Sequence, residues 1–131
     1  MKTRIIQALI FAFAMTMVHE SLFAQTGDGD WKKLYDEAES HYDAGRYESG
    51  IPVANAALAL AETNTGPDSQ DVARSLNILG MLYYGLGKYA ETATYLEKSL
   101  AIDEKILGSN NPDLVPALIE LGNFYRRHGK Y

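Results

Sequence analysis

The chain of 131 residues contains no cysteine. That excludes a disulfide framework and any thiolate-bound metal, and it leaves export to an oxidising compartment without a cross-linking hazard. Histidine is scarce as well: His19, His41 and His128 are the three present. None stands with a nucleophile and an orienting carboxylate at a spacing that builds an active site, so no catalytic residue is expected. The phosphate-cradling loop is missing too. Gly85-Leu86-Gly87-Lys88 lacks the full glycine spacing and the hydroxyl after lysine, and it follows a helical pattern where a strand is required. Gly27-Asp28-Gly29-Asp30 has neither the remaining ligands nor the distal glutamate of a calcium loop. No cofactor and no metal are therefore expected. Positive charge is also in short supply, with 12 Lys and Arg against 17 Asp and Glu, for a formal charge of −5. Arg126-Arg127 is a doublet, not the basic cluster that a nucleic-acid or anionic-membrane surface needs, so no nucleic-acid partner is expected.

Long apolar runs are limited to one, Ile5 to Val18, preceded by Lys2 and Arg4 and followed by His19-Glu20 and the small residue Ala24. As a helix this run spans roughly 21 Å against a hydrocarbon core of roughly 30 Å, too short for a stable membrane span. Residues 1–24 read as a secretory signal peptide cleaved after Ala24, so the product is expected to be exported, periplasmic or secreted. Leu22 is large for its place in such a site, and retention as an amphiphilic anchor is the alternative. Loss of the leader, with Lys2, Arg4 and Glu20, takes the formal charge from −5 to −6. Residues 25–29, polar and glycine-containing, read as a flexible lead-in.

What the chain does have is a period. Gly45-Arg46-Tyr47, Gly87-Lys88-Tyr89 and Gly129-Lys130-Tyr131 recur every 42 residues. Leu34, Leu76 and Leu118 keep the same interval, as do Gly80 and Gly122, Asp71 and Asp113, Tyr83 and Tyr125, and Leu58 and Leu100. In the middle unit Val72, Leu76, Leu79 and Tyr83 recur at helical spacing, Gly85-Leu86-Gly87 interrupts, and Tyr89, Ala93, Leu96 and Leu100 resume. Each unit thus predicts two amphipathic helices joined by a glycine turn. Ser69 and Asn111 are expected N-caps, Asn111 with Pro112 behind it. Gly80 and Gly122, in mid-helix, cost roughly 1 kcal/mol each relative to alanine, which a close-packed partner helix would explain. Pro52 implies that its helix starts late, with Ser49 as cap, or bends. The fold class expected is all-α: antiparallel helix hairpins stacked as an α-solenoid of about two and a half repeats, over residues 30–131, with units 30–68, 69–110 and 111–131. The last unit stops at the first residue of its second helix. Helix 112–127 would then show Leu118, Leu121, Phe124 and Tyr125 to solvent, which suggests a fragment of a longer array, or self-association through the open helix.

Residues 71–100 resemble a tetratricopeptide repeat, with Leu76, Leu79-Gly80, Tyr83, Gly87, Tyr89 and Leu96 at the large, small and aromatic positions of that family. The 42-residue interval, the stretch Asp71 to Asn77 and the stretch Ala101 to Gly108 are similar to the kinesin-light-chain subclass. The resemblance covers about residues 30–131. Thr92 and Ser99 stand where alanine is usual, and Glu37 and His41 replace apolar residues in the first unit. The resemblance implies a concave groove, formed by the first helices of successive units, that holds an extended peptide or a partner's helix. Carried over position by position, it implies groove contacts from Lys32, Tyr35 and Tyr42, from Arg74, Asn77, Met81 and Tyr84, and from Ile119, Asn123, Arg126 and Arg127. Asparagine can pair with a peptide unit in both senses, arginine can hold a carboxylate by two parallel bonds, and tyrosine and methionine offer adaptable apolar contact. The function expected is a non-enzymatic, exported protein–protein interaction module. The alternative is the leading repeat region of a longer exported or membrane-tethered enzyme or sensor, with its catalytic part beyond Tyr131.

Overall fold

Five α-helices follow one another in the computed structural model, which describes residues 28–129; the leader lies outside the described residues, as do Gln25 to Gly27, Lys130 and Tyr131. They are α1 (Asp28–Asp43), α2 (Tyr47–Thr65), α3 (Gln70–Gly85), α4 (Tyr89–Leu107) and α5 (Val115–His128), the last entered through a single 3-10 turn, Pro112–Leu114. No strand occurs among the described residues. The period of the sequence is the period of the fold, since α1 and α3, and likewise α2 and α4, begin and end 42 residues apart. Helix α1 already contains Asp28, Gly29 and Asp30, residues at the border of the expected lead-in.

Local chemistry accounts for the boundaries. Gly87 turns the chain from α3 into α4 at φ 73°, and Gly45 and Gly129 repeat this at 71° and 78°. A side chain is strained in that left-handed region, and glycine is not. Ser69 caps α3 by accepting the Val72 N–H at 3.2 Å. The Asn111 side chain accepts the Asp113 N–H at 2.8 Å, with Pro112 filling the first position of the turn. At Pro52 the structure departs from the late start expected for α2. That helix begins at Tyr47 and runs through the proline, and Ser49 lies inside it and does not cap it. Pro52 comes early enough that its ring removes one N–H, the one that would have reached Glu48, while Gly50 still bonds the Arg46 carbonyl at 3.1 Å.

Neighbouring helices pack antiparallel through small residues. Ala54, Ala57 and Ala61 form one fully buried stripe on α2, so α1 and α3 approach it closely from either side. One core cluster joins Trp31, Ala57, Ala61, Val72, Ala73, Leu76 and Ile102, and a second joins Ala38, Ala54, Ile78, Leu79 and Leu82. The Trp31 indole donates to the Ser75 hydroxyl at 2.9 Å, and Ser75 donates in turn to the Asp71 carbonyl at 2.8 Å. Thr92 and Ser99 are buried and satisfied: Thr92 donates to the Lys88 carbonyl at 3.0 Å, and Ser99 bridges from α4 to the Ala73 carbonyl of α3 at 2.8 Å. Substituting them for alanine leaves the helix pair tightly packed.

The two mid-helix glycines differ. A Cβ on Gly80 would lie 3.1 Å from Leu96 Cδ2, so a partner helix does press on it. Around Gly122 there is nothing within 4 Å, so the expected close partner is absent among the described residues. Phe124 also departs from expectation. It is buried, because its ring turns back onto Tyr84 and His128, away from the open side. Leu118 is exposed as expected, while Leu121 and Tyr125 are half-buried.

Candidate functional site

The last step of the stack differs from the first. Helix α1 touches α3 directly, but α3 and α5 make no close backbone contact and meet through the Tyr84 side chain, so α5 is held mainly by α4. The gap is a groove of about 540 Å³ between α3, α4 and α5, reached at one end by Tyr42 of α1. Gly80, Met81 and Tyr84 form one wall, Thr92 and Leu96 the floor, and Phe124 and His128 the opposite wall. Asn77, Glu120, Asn123 and Arg127 are its polar members. The aromatic end is tightly organised: His128 stacks on Tyr89 at 3.9 Å, and Tyr84 meets His128 and Phe124 edge-on at 5.5 and 6.3 Å. Such rings are rigid and apolar on their faces, a surface that takes an aliphatic side chain with little loss of its own freedom.

A smaller, polar depression of about 140 Å³ continues from it along α3, lined by Tyr35, Gln70, Ala73, Arg74, Asn77, Ser99 and Asp103. Asn77 lines both hollows and marks where they meet. Burial pushes the Asp103 carboxyl above the ordinary aspartate value. Burial, aided by a hydrogen bond to Glu39, pushes the Tyr35 hydroxyl up to about 12. The side chains of Asn77, Arg74 and Arg127 have no hydrogen-bond or ion-pair partner among the described residues.

Of the residues carried over from sequence, Tyr42, Asn77, Met81, Tyr84, Asn123 and Arg127 line the groove, and Tyr35 and Arg74 line the depression. Three do not come to either. Lys32 is exposed and paired with Asp36 at 2.6 Å, Arg126 donates to Asn123 at 3.3 Å from outside, and Ile119 faces solvent elsewhere. The reason is geometric. A groove between two equivalent helices sees opposite flanks of them, so α5 contributes the flank turned back towards α3. Glu120 stands in the groove in place of Ile119, one residue further on and about 100° around the helix, and of the expected pair Arg126 and Arg127 only Arg127 lines it. The floor was missed for another reason: Thr92, Leu96, Ser99 and Asp103 belong to a second helix of a pair, and only their shared stripe on α4 would have pointed to them.

The tetratricopeptide repeat family model matches residues 32–105 and again residues 71–131. The chain belongs to the tetratricopeptide repeat family. Repeats of this family mediate protein–protein interaction. The two tetratricopeptide matches overlap across the second unit, as expected of a register that advances by one helix pair. The match is to the tetratricopeptide repeat as such and does not extend to the kinesin-light-chain-like subclass. No curated protein matches the chain.

Proposed function

We propose that this chain is an exported binding module that holds an extended peptide, or one helix of a partner protein, in the groove between α3, α4 and α5. The observation that carries the reading is the pairing of an apolar floor and walls with polar side chains left unpartnered among the described residues, Asn77 and Arg127. An unpaired amide offers a donor and an acceptor to a peptide unit, and an unpaired guanidinium offers a fork to a carbonyl or carboxylate. Recognition, not catalysis, is the role. Among the described residues no helix is long and apolar enough to cross a membrane, and export rests on the sequence of the leader alone.

The test begins with a peptide array probed with the full chain. Against the best binder, Asn77→Ala and Arg127→Ala each weaken binding about tenfold, the effect of a lost hydrogen bond to a charged or peptide group, with helical content unchanged. Arg126→Ala, outside the groove, changes it little. Equal affinity in all three variants refutes the groove assignment. Export is checked separately, by fractionating expressing cells and sequencing the amino terminus of the product, which should begin at Gln25.

A further inference from the structure

We propose that the occupant of the groove is an extended segment of a partner protein that seats a lysine or arginine between Asp103 and Glu120 and an aliphatic side chain against the aromatic end. This rests on the groove being the binding site, as proposed above, and adds the chemistry it selects. The molecule contains two equivalent seams, one where α3 packs on α1 and α2, the other where α5 comes against α3 and α4. In the first, Ala61 and Ile78 are 1% and 2% exposed and belong to the core clusters. Their counterparts 42 residues further on are Asp103 and Glu120. The apolar neighbours are kept, since Leu58 and Leu79 recur as Leu100 and Leu121. The second seam therefore carries two carboxylates at positions that the fold otherwise buries. Closing it as the first is closed would strip water from both charges with no cation to offset them, which is strongly unfavourable.

Both carboxylates line one hollow of about 50 Å³, floored by Leu96 and Leu100. A water-sized group takes roughly 10–15 Å³ of such space, so an ammonium or guanidinium head fits. Neither carboxylate has a hydrogen-bond or ion-pair partner among the described residues. Lys105, on the same helix as Asp103, is committed to Asp68, and Arg74 acts on the Tyr35 hydroxyl. Burial alone acts on the Asp103 carboxyl, with no cation drawing its value down. The chain as a whole is acidic, at −5, so the missing cation is one that a partner brings. Two carboxylates are too few for a hard metal ion, and no third His, Asp or Glu joins them among the described residues. Glu120 precedes Phe124 and His128 by about one and two turns of α5, roughly 6 and 12 Å along its axis. An extended chain covers that distance in roughly two to four residues, which sets the spacing between the basic and the aliphatic side chain.

The test uses the full chain and pools of acetylated, amidated octapeptides, each fixing leucine at one position and lysine, arginine, norleucine or glutamate at another. Pools with lysine or arginine at the stated spacing from leucine are expected to bind about tenfold more tightly than norleucine pools, which keep the aliphatic stem and lose the charge. Added salt narrows the difference. In the double variant Asp103→Asn with Glu120→Gln, the lysine pools fall to the norleucine level, while norleucine binding and helical circular dichroism stay as in the wild type. Equal binding of lysine and norleucine pools, preference for glutamate, or a lysine preference that survives the double variant would each overturn the proposal. If Asn77→Ala still weakens binding in those cases, the groove stands and only its charge selection falls. Binding that is indifferent to Asn77→Ala as well removes both.

Discussion

Gly85 and Gly122 show how far one residue type can differ in consequence within a single fold. A Cβ on Gly85 would lie 2.5 Å from the Tyr47 ring, which comes up against the end of α3. Gly85→Ala must displace that ring, and a loss of roughly 1–3 kcal/mol is expected, as for other overpacked sites. Gly122→Ala meets open space among the described residues and gains helix propensity, so it raises stability by up to about 1 kcal/mol. Paired thermal melts of the two variants check both signs. Trp31→Phe removes the indole donor to Ser75 while keeping most of the packing, and a cost of about 1–2 kcal/mol is expected from denaturant titration. Titration has a sign here as well. The Tyr35 hydroxyl holds its proton up to about 12, above its ordinary value of 10.0. The folded state therefore binds that proton more tightly than the unfolded one. The stability this supplies is complete below pH 10 and is lost as pH rises towards about 12. Phenolate absorbance should follow the alkaline unfolding, and Tyr35→Phe should lessen the loss. Asp103 is the reverse case in value: burial disfavours its charged form, so Asp103→Asn is expected to raise the melting temperature at neutral pH and to weaken any gain on acidification.

Among the helices, the legible parts were those fixed by short-range chemistry. Apolar residues at helical spacing located α3 and α4, and the glycine turns and the caps at Ser69 and Asn111 located their ends. Pro52 was less legible, because a proline in the first turns of a helix removes one hydrogen bond and need not mark a boundary. The fate of Phe124 was illegible for a different reason. Its neighbours Tyr84, Tyr89 and His128 come from three different helices, and no local pattern encodes their meeting. The candidate site divides in the same way. Asn77, Met81 and Tyr84 follow from the first-helix pattern, whereas Leu96 and Thr92 enter from a neighbouring helix, and the exclusion of Arg126 while Arg127 stays depends on which flank of α5 the groove sees. Helix α5, attached mainly to α4, should also be the least protected element. Hydrogen exchange is expected to be fastest in α5 and slowest in α3, which is buried on both sides; equal protection would contradict this packing.

For the molecule as a whole, a linear stack has no single centre, and its properties add from one neighbour to the next. The first two helix pairs share two core clusters, and Lys105 of α4 reaches back to Asp68 at 3.0 Å, ahead of α3. Truncation from the α5 end should therefore leave α1 to α4 folded, whereas loss of α1 exposes Ala57, Val72 and Leu76. Limited proteolysis read by mass spectrometry distinguishes the two, with early cuts expected between Gly108 and Asn111, where the chain is exposed between helices.

The lack of close backbone contact between α3 and α5, which meet through Tyr84 at the aromatic end, makes α5 a cantilever hung mainly from α4. Whatever fills the space between them acts as a keystone, sharing the load that α1 and α3 bear by touching one another. Occupancy of the groove and curvature of the superhelix are then one mechanical variable, which small-angle scattering with and without a bound peptide would read as a change in bend.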